Sequence, residues 1–344
     1  MPSLEKETSV SPEKICCKNT KIWLIRLMLL GITLVSYQFF SILQSLEDSS
    51  TSPSIYGTAC NSFRLWDSLR LNVSRNTHLF LRLKQFFWTD GSPSLPLPYG
   101  INGSEDILRD IFSVLPYDDI PEHLESSKCR TCVVIGNGFI IKNTSLGNTI
   151  NQYDVVIRIN DGPVRGFEKD VGNKTTMRFF YPESAVSDPN VHNEPDTLMV
   201  LVPFKLVDLI WLRDILYNKK RIVQLGFWKP PPRTWLGRSS QFRILDPFFM
   251  HHTASDLLGT PFNPDKPVCP TSGMLAVYVA LNFCSVVHLA GFGYPSDKND
   301  LIHYFGRDTM DFMIFQNSEH NITHEAQVLK RLEDHGVIQF LHPH

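Results

Sequence analysis

From residue 128 onward the apolar positions fall into short, β-branched runs at 132–136, 153–160, 177–181, 197–204, 242–246 and 286–292. Stretches of helical period or length stand between them at 208–217 and 272–284, and another at 105–114 lies further upstream. Runs of strand length alternating with helices predict βαβ units, and so an α/β fold with a mainly parallel sheet flanked by helices on both faces. In such sheets ligands bind at the carboxyl ends of the strands, which directs attention to the loops after Gly136, Asn160 and Tyr181. A different pattern occupies 22–43, where the chain is apolar except for Arg26, Thr33, Ser36, Gln38 and Ser41. About 20 such residues cross a bilayer as a helix. Lys14, Lys18 and Lys21 precede this stretch and Glu47 and Asp48 follow it, so the basic flank places the N-terminus in the cytosol and the rest in a lumen. A cleaved signal peptide fits less well, because the stretch starts late and lacks a small-residue cleavage site.

These patterns divide the chain into a cytoplasmic tail (1–21), a single transmembrane signal anchor (22–43) and a Ser/Thr-rich stem (44–60). An extension (61–127) packed on the main domain follows, and then the main luminal domain (128–344). Lys and Arg number 33 against 35 Asp and Glu, a net charge of −2, which removes the electrostatic case for nucleic acid and leaves room for a small anion. Sequons begin at Asn72, Asn102, Asn143, Asn173 and Asn321, as a luminal address would use. Of the seven cysteines, Cys16 and Cys17 precede the apolar stretch, leaving an odd set in the oxidising lumen: Cys60, Cys129, Cys132, Cys269 and Cys284. The lone C-x-x-C at Cys129 and Cys132 has no second half for a four-cysteine zinc site.

Three loops and a histidine cluster carry candidate chemistry. Gly136-Asn137-Gly138 follows a strand and could bring backbone N–H groups to a phosphate, but it lacks the third glycine of a dinucleotide fingerprint, and a tight turn is the plainer reading. Asn160-Asp161-Gly162-Pro163, after the next strand, is a turn by default, or aims amide groups into a pocket if that loop borders a site. Pro270-Thr271-Ser272-Gly273 opens a long apolar helix and either caps it or receives an anion there. His288, His303, His320 and His324 are a third of the 12 histidines gathered into one stretch. His320 and His324 share a face if a helix runs through both, with zinc, general-base and plain surface readings open. The chain has no Asp-x-Asp, as a divalent-metal sugar-diphosphate transferase would use.

Four ordered segments resemble the motifs of the eukaryotic sialyltransferase family: 129–176 (CRTCVVIGNG to VGNKTT), 270–294 (PTSGML to AGFGY), His303-Tyr304-Phe305-Gly306, and the H-x4-E of His320 and Glu325. FFYPESAVSDP, GFWKPPP and ILDPFFM are most similar to the α2,3-linking branch acting on N-acetyllactosamine-type galactosides. The resemblance implies a Rossmann-like, GT-A-variant domain in a single-pass type II protein of the Golgi membrane. It implies transfer of sialic acid from CMP-N-acetylneuraminate (CMP-sialic acid) to the 3-hydroxyl of a terminal galactose on glycoproteins and glycolipids, with inversion, no metal and no other cofactor. In that reading His320 is the base and His303 serves the departing phosphate. Asn137, Asn160, Thr271, Ser272, Gly273 and Tyr304 surround the donor, Cys132 pairs with Cys284, and Cys60 with Cys129. Cys269 is then the odd thiol, kept reduced or joining two chains as a homodimer. Ser285 and Val286 replace an acidic residue common in the family, and Ser272 a common threonine. A sialyltransferase of different linkage or acceptor, such as Galβ1-3GalNAc or lactosylceramide, and an inactive luminal glycan-binding protein are the alternatives.

Overall fold

The computed structural model describes residues 28, 29, 31–33, 35–38, 78–82, 95–115, 120, 121, 129–220, 225–260, 269–295, 297–311 and 320–342. The chain divides into two units, Met1–Gly57 and Thr58–His344. In the first, the described residues are helical, and the Thr33 and Ser36 hydroxyls donate back to the carbonyls of Leu29 and Ile32 at 3.1 and 2.8 Å. Among the described residues no helix is long and apolar enough to cross a membrane. Most of the span expected at 22–43, with the tail, the stem, Cys60 and Asn72, lies outside them.

The second unit is built on a seven-stranded sheet in the order β5-β4-β3-β2-β1-β6-β7. Its strands are β1 (Thr131–Ile135), β2 (Val155–Ile159), β3 (Met177–Phe180), β4 (Leu198–Leu201), β5 (Phe242–Ile244), β6 (Val286–Ala290) and β7 (Gln339–Phe340). Every neighbouring pair is parallel. All six expected strands are present. β7 was not expected, because two residues carry no readable period. The helices are α1 (Glu105–Phe112), α2 (Leu206–Leu216), α3 (Pro247–His252), α4 (Ser272–Phe283) and α5 (Ile322–Asp334), besides single turns.

The two-residue period of a strand sends alternate side chains to opposite faces. Leu198 and Val200 accordingly enter the larger core with α4, while Met199 and Leu201 enter a second core with α1 and α2. α4 is buried from Gly273 to Phe283, as a helix apolar all round must be. Cys284 caps it and is bridged to Cys132 of β1, with Cα atoms 5.9 Å apart and both residues at 0% exposure. Upstream, Leu79 to Leu81 run antiparallel beside β5, with Leu81 N–H donating to Ile244 O and Asp246 N–H to Leu79 O at 2.9 and 3.0 Å. That pairing covers backbone groups the sheet edge would otherwise leave open.

Strands β1 to β5 are laid down in one direction, and the chain then returns to place β6 on the other side of β1. The crevice at that reversal is where such sheets bind ligands. The backbones pack so closely there that a Cβ on Gly136 would lie 2.4 Å from the Gly291 carbonyl oxygen, so a side chain cannot be accommodated.

Near the start of α2 a charge cluster has a pH signature. Asp208 accepts from the N–H groups of Phe204 and Lys205 at 2.9 and 3.1 Å, but its buried Oδ1 has no hydrogen-bond partner among the described residues. Burial, opposed by Lys205, raises its carboxyl from 3.8 to about 7. A carboxyl raised on folding stabilises the fold below its unfolded value, and that contribution is lost as pH rises through the folded value. Asp208→Asn is expected to flatten the fall in thermal midpoint between about pH 4 and pH 7, as checked by melts across that range.

Candidate active site

The loops at the carboxyl ends of β1, β2 and β6 bring the sequence-distant motifs together. The N–H groups of Gly136 and Gly138 donate to Ala290 O and Gly291 O at 2.7 and 2.8 Å. They are therefore used in holding β1 to β6, and Gly136-Asn137-Gly138 is a structural turn. Between them, Asn137 accepts from the Tyr304 N–H at 3.1 Å through its carbonyl, and its Nδ2 donates to Ile159 O at 3.4 Å. Gly138 forms an antiparallel bridge with His303, and Phe139 N–H donates to Ile302 O at 2.9 Å, which lays 301–304 along the turn.

Asn160 sits in the left-handed region at φ 54°, which asparagine tolerates better than most residues. The Ser184 hydroxyl donates to its Oδ1 at 3.4 Å, and Arg178 binds the carbonyls of Asn160 and Gly162 at 2.9 and 3.0 Å. A small pocket opens here, lined by Asn160, Asp161, Arg178, Ser184 and His192 among others. Gly162 faces Asn137 so closely that a Cβ would stand 2.3 Å from Asn137 Oδ1. Tyr304 is buried, donates its hydroxyl to Pro163 O at 2.7 Å and meets Phe167 edge to face. The residue thus ties the third motif to the loop after β2. His303 is half-buried and stacks on Phe305 with ring centroids 5.3 Å apart. Burial lowers its pKa, and Asp161 and Asp308 pull it back upward.

The last motif closes on the start of α4. His320 Nδ1 lies 2.7 Å from the carbonyl oxygen of Cys269. A carbonyl only accepts, so Nδ1 carries the hydrogen and Nε2 is left as the basic nitrogen. Glu325 is buried and accepts twice from Thr271, from its N–H at 2.8 Å and from its hydroxyl at 2.6 Å. Thr271 Oγ1 also accepts from Met274 N–H at 3.2 Å, so it caps α4. Burial raises the Glu325 carboxyl, opposed by its bonds from Thr271 and by His320 and His324. Ser272 is the first residue of α4, and a Cβ on Gly273 would come within 3.1 Å of the Phe292 ring.

A helix carrying both His320 and His324 on one face does not form. α5 begins at Ile322 with Asn321 as its cap, its Oδ1 accepting from His324 N–H at 3.1 Å. His320 precedes the cap, and His324 Nε2 turns to Leu258 O at 2.7 Å. Among the described residues no group of three His, Cys, Asp or Glu side chains is placed to hold a metal. His288 lies in β6 against the Tyr153 hydroxyl, away from these loops.

Cys129 is disulfide-bonded, while the expected partner Cys60 is outside the described residues. The Cys269 thiol is hydrogen-bonded with the Tyr99 hydroxyl. Asn102, Asn143, Asn173 and Asn321 are all exposed, as carbohydrate attachment requires. Sequence reasoning missed Arg178, whose only sign was a charge inside the apolar run MRFFY, and the Cys269 carbonyl, which no side-chain pattern reveals.

A parallel sheet with these four motifs at its reversal point defines a class. The family model for glycosyltransferase family 29 (sialyltransferase) matches residues 80–337, and the chain belongs to that family. Among its relatives, CMP-N-acetylneuraminate-beta-galactosamide-alpha-2,3-sialyltransferase 4 of Homo sapiens is 48% identical over 274 residues, covering 78% of this chain and 81% of the relative. The type 2 lactosamine alpha-2,3-sialyltransferase of Pan troglodytes is 43% identical over 252 residues, covering 72% and 75%. The crystal structure of a mammalian sialyltransferase superposes with a TM-score of 0.66 at 27% identity, covering 84% of this chain and 99% of that one. A second such structure, in complex with Gal-beta-1-3GalNAc-ortho-nitrophenol, gives 0.65 at 26% identity, covering 83% and 98%.

Proposed function

We infer that this protein transfers sialic acid from CMP-sialic acid to the 3-hydroxyl of a terminal galactose, on a Rossmann-like, GT-A-variant domain. The observation that carries the mechanism is the hydrogen bond from His320 Nδ1 to the Cys269 carbonyl, which leaves Nε2 basic and fixed in direction. That nitrogen takes the proton of the galactose hydroxyl as the oxygen attacks the anomeric carbon of the donor, with inversion. The bond to CMP breaks as the new one forms, and negative charge develops on the phosphate. His303, brought beside the turn after β1, stabilises that charge by donating to it. Burial holds its pKa down, and an arriving phosphate favours the charged form, so donor binding itself loads the imidazolium. Asn137 and Asn160 border the nucleotide. Thr271, Ser272 and Gly273 present the start of α4 to the donor, with Thr271 held by Glu325. A monophosphate leaving group has less charge to neutralise than a diphosphate, and the reaction proceeds on these side chains without a metal.

The name of the type 2 lactosamine relative supports a lactosamine-type acceptor, which we take to be Galβ1-4GlcNAc. The apolar stretch at 22–43 with its basic flank supports a type II anchor in the Golgi membrane. The full chain, purified in detergent, is expected to sialylate Galβ1-4GlcNAc from CMP-sialic acid in the presence of EDTA. The product is to be cleaved by an α2,3-specific sialidase, with Galβ1-3GalNAc and lactosylceramide assayed beside it. A product resistant to that sialidase would refute the linkage, and loss of activity in EDTA the metal independence.

A further inference from the structure

Arg158 of β2 and Arg178 of β3 are direct cross-strand partners, at 2% and 3% exposure. A buried guanidinium is costly unless a carboxylate meets it. Here the hydrogen bonds among the described residues go to neutral oxygens. Arg158 donates to Thr175 Oγ1 and to the carbonyls of Val171, Gly172 and Lys174, and its Nη1 has no partner there. Arg178 donates to Asn193 Oδ1 and to the carbonyls of Asn160, Gly162 and His192. Burial lowers both, Arg158 to about 9 and Arg178 to about 10, which leaves each charged at neutral pH. Glu194 acts on Arg158 and Asp161 on Arg178 from beyond contact, and Asp161 is itself shared with Lys229 at 3.6 Å. Two positive charges are therefore held side by side with no carboxylate in contact among the described residues, and one of them lines the pocket beside Asn160.

We propose that Arg158 and Arg178 are positioning residues for the anionic donor: Arg178 holds the turn from Asn160 to Gly162, and the two together supply the positive field that favours a nucleotide phosphate over an uncharged nucleoside. The inference rests on the donor reading above. Charges in a low-dielectric wall act on a ligand in the adjoining cleft more strongly than the same charges in water.

The test is the ratio of dissociation constants for cytidine and CMP, measured by calorimetry on the full-length protein in detergent. Cytidine reports the shape of the base and ribose site, and CMP adds the charge. In Arg178→Gln both affinities are expected to fall as the turn loosens, but that for CMP about tenfold further than that for cytidine, so the preference for CMP falls about tenfold. Arg178→Lys keeps the charge and is expected to retain most of the preference. Arg158→Gln, whose side chain does not touch the turn, is expected to lower it about threefold and decides the matter if Arg178→Gln fails to fold. A purely structural role would weaken both ligands together, and an unchanged ratio in a folded glutamine variant would overturn the proposal. If the unaltered protein itself shows no preference for CMP, the donor reading falls. If it shows one that the glutamine variants keep, only this inference falls.

Discussion

Alanine in place of His320 is expected to lower kcat by about 10²–10⁴-fold, the usual worth of a positioned general base, with the thermal midpoint nearly unchanged. On the proposed mechanism activity falls because the nitrogen that takes the hydroxyl proton is gone. The fold survives because His320 precedes α5, contributes one hydrogen bond to a carbonyl, and is only half-buried. His320→Gln still offers a donor to the Cys269 carbonyl but no base, so it is expected to be as inactive as alanine. KM for the donor should move little in either variant, since the nitrogen acts on the acceptor. Initial rates over both substrates, with melts of the same preparations, check this. A kcat within threefold of the parent in a folded His320→Ala protein would remove the residue from the mechanism. His324 is the contrast: it faces the Leu258 carbonyl, and its replacement should cost stability before it costs turnover.

Loss of the Cys132–Cys284 bridge is the largest expected effect on stability. The two half-cystines are 152 residues apart in sequence and join β1 to the end of the central helix α4. Removing a native disulfide typically costs about 2–5 kcal/mol, and closing so long a loop belongs at the upper end of the entropic estimate. For a domain of this size that corresponds to a fall of roughly 5–15 °C in thermal midpoint. The double variant Cys132→Ala, Cys284→Ala isolates the effect, because neither thiol is left to mispair with Cys269. Both sulfurs are held in the bond, so peptide mapping after alkylation of the unreduced, denatured protein should find Cys132 and Cys284 blocked and Cys269 labelled. Labelled Cys132 would show that the bridge does not form.

Much of the fold was legible beforehand because its signals are local. Buried parallel strands read as short β-branched runs, and a central helix such as α4 reads as a long apolar one, with no knowledge of what it packs against. The four motifs were legible as a set, and so was the capping of α4 by Thr271. Other features had no local sign. Leu79 to Leu81 look merely apolar until the edge beside β5 gives their backbone a partner. The four-residue spacing of His320 and His324 suggested a shared helix face, but the sequon asparagine between them caps α5 and leaves the first histidine outside it. Spacing indicates a common face only when the helix covers both residues.

What the sequence alone determined is therefore the architecture, the chemistry on offer and the family, since these depend on side-chain period and on residue types in order. The tertiary structure decided which atom of each residue remains available. Gly136 and Gly138 have their N–H groups taken by β6, Tyr304 has its hydroxyl taken by Pro163, and His320 is left with Nε2 because a backbone carbonyl holds Nδ1. Backbone carbonyls are the same at every position of the sequence, so only folding selects those that meet a histidine or a buried arginine. That selection decides which imidazole nitrogen of His320 is left available, and it sets two buried arginines on neighbouring strands with their hydrogen bonds, among the described residues, going to neutral oxygens.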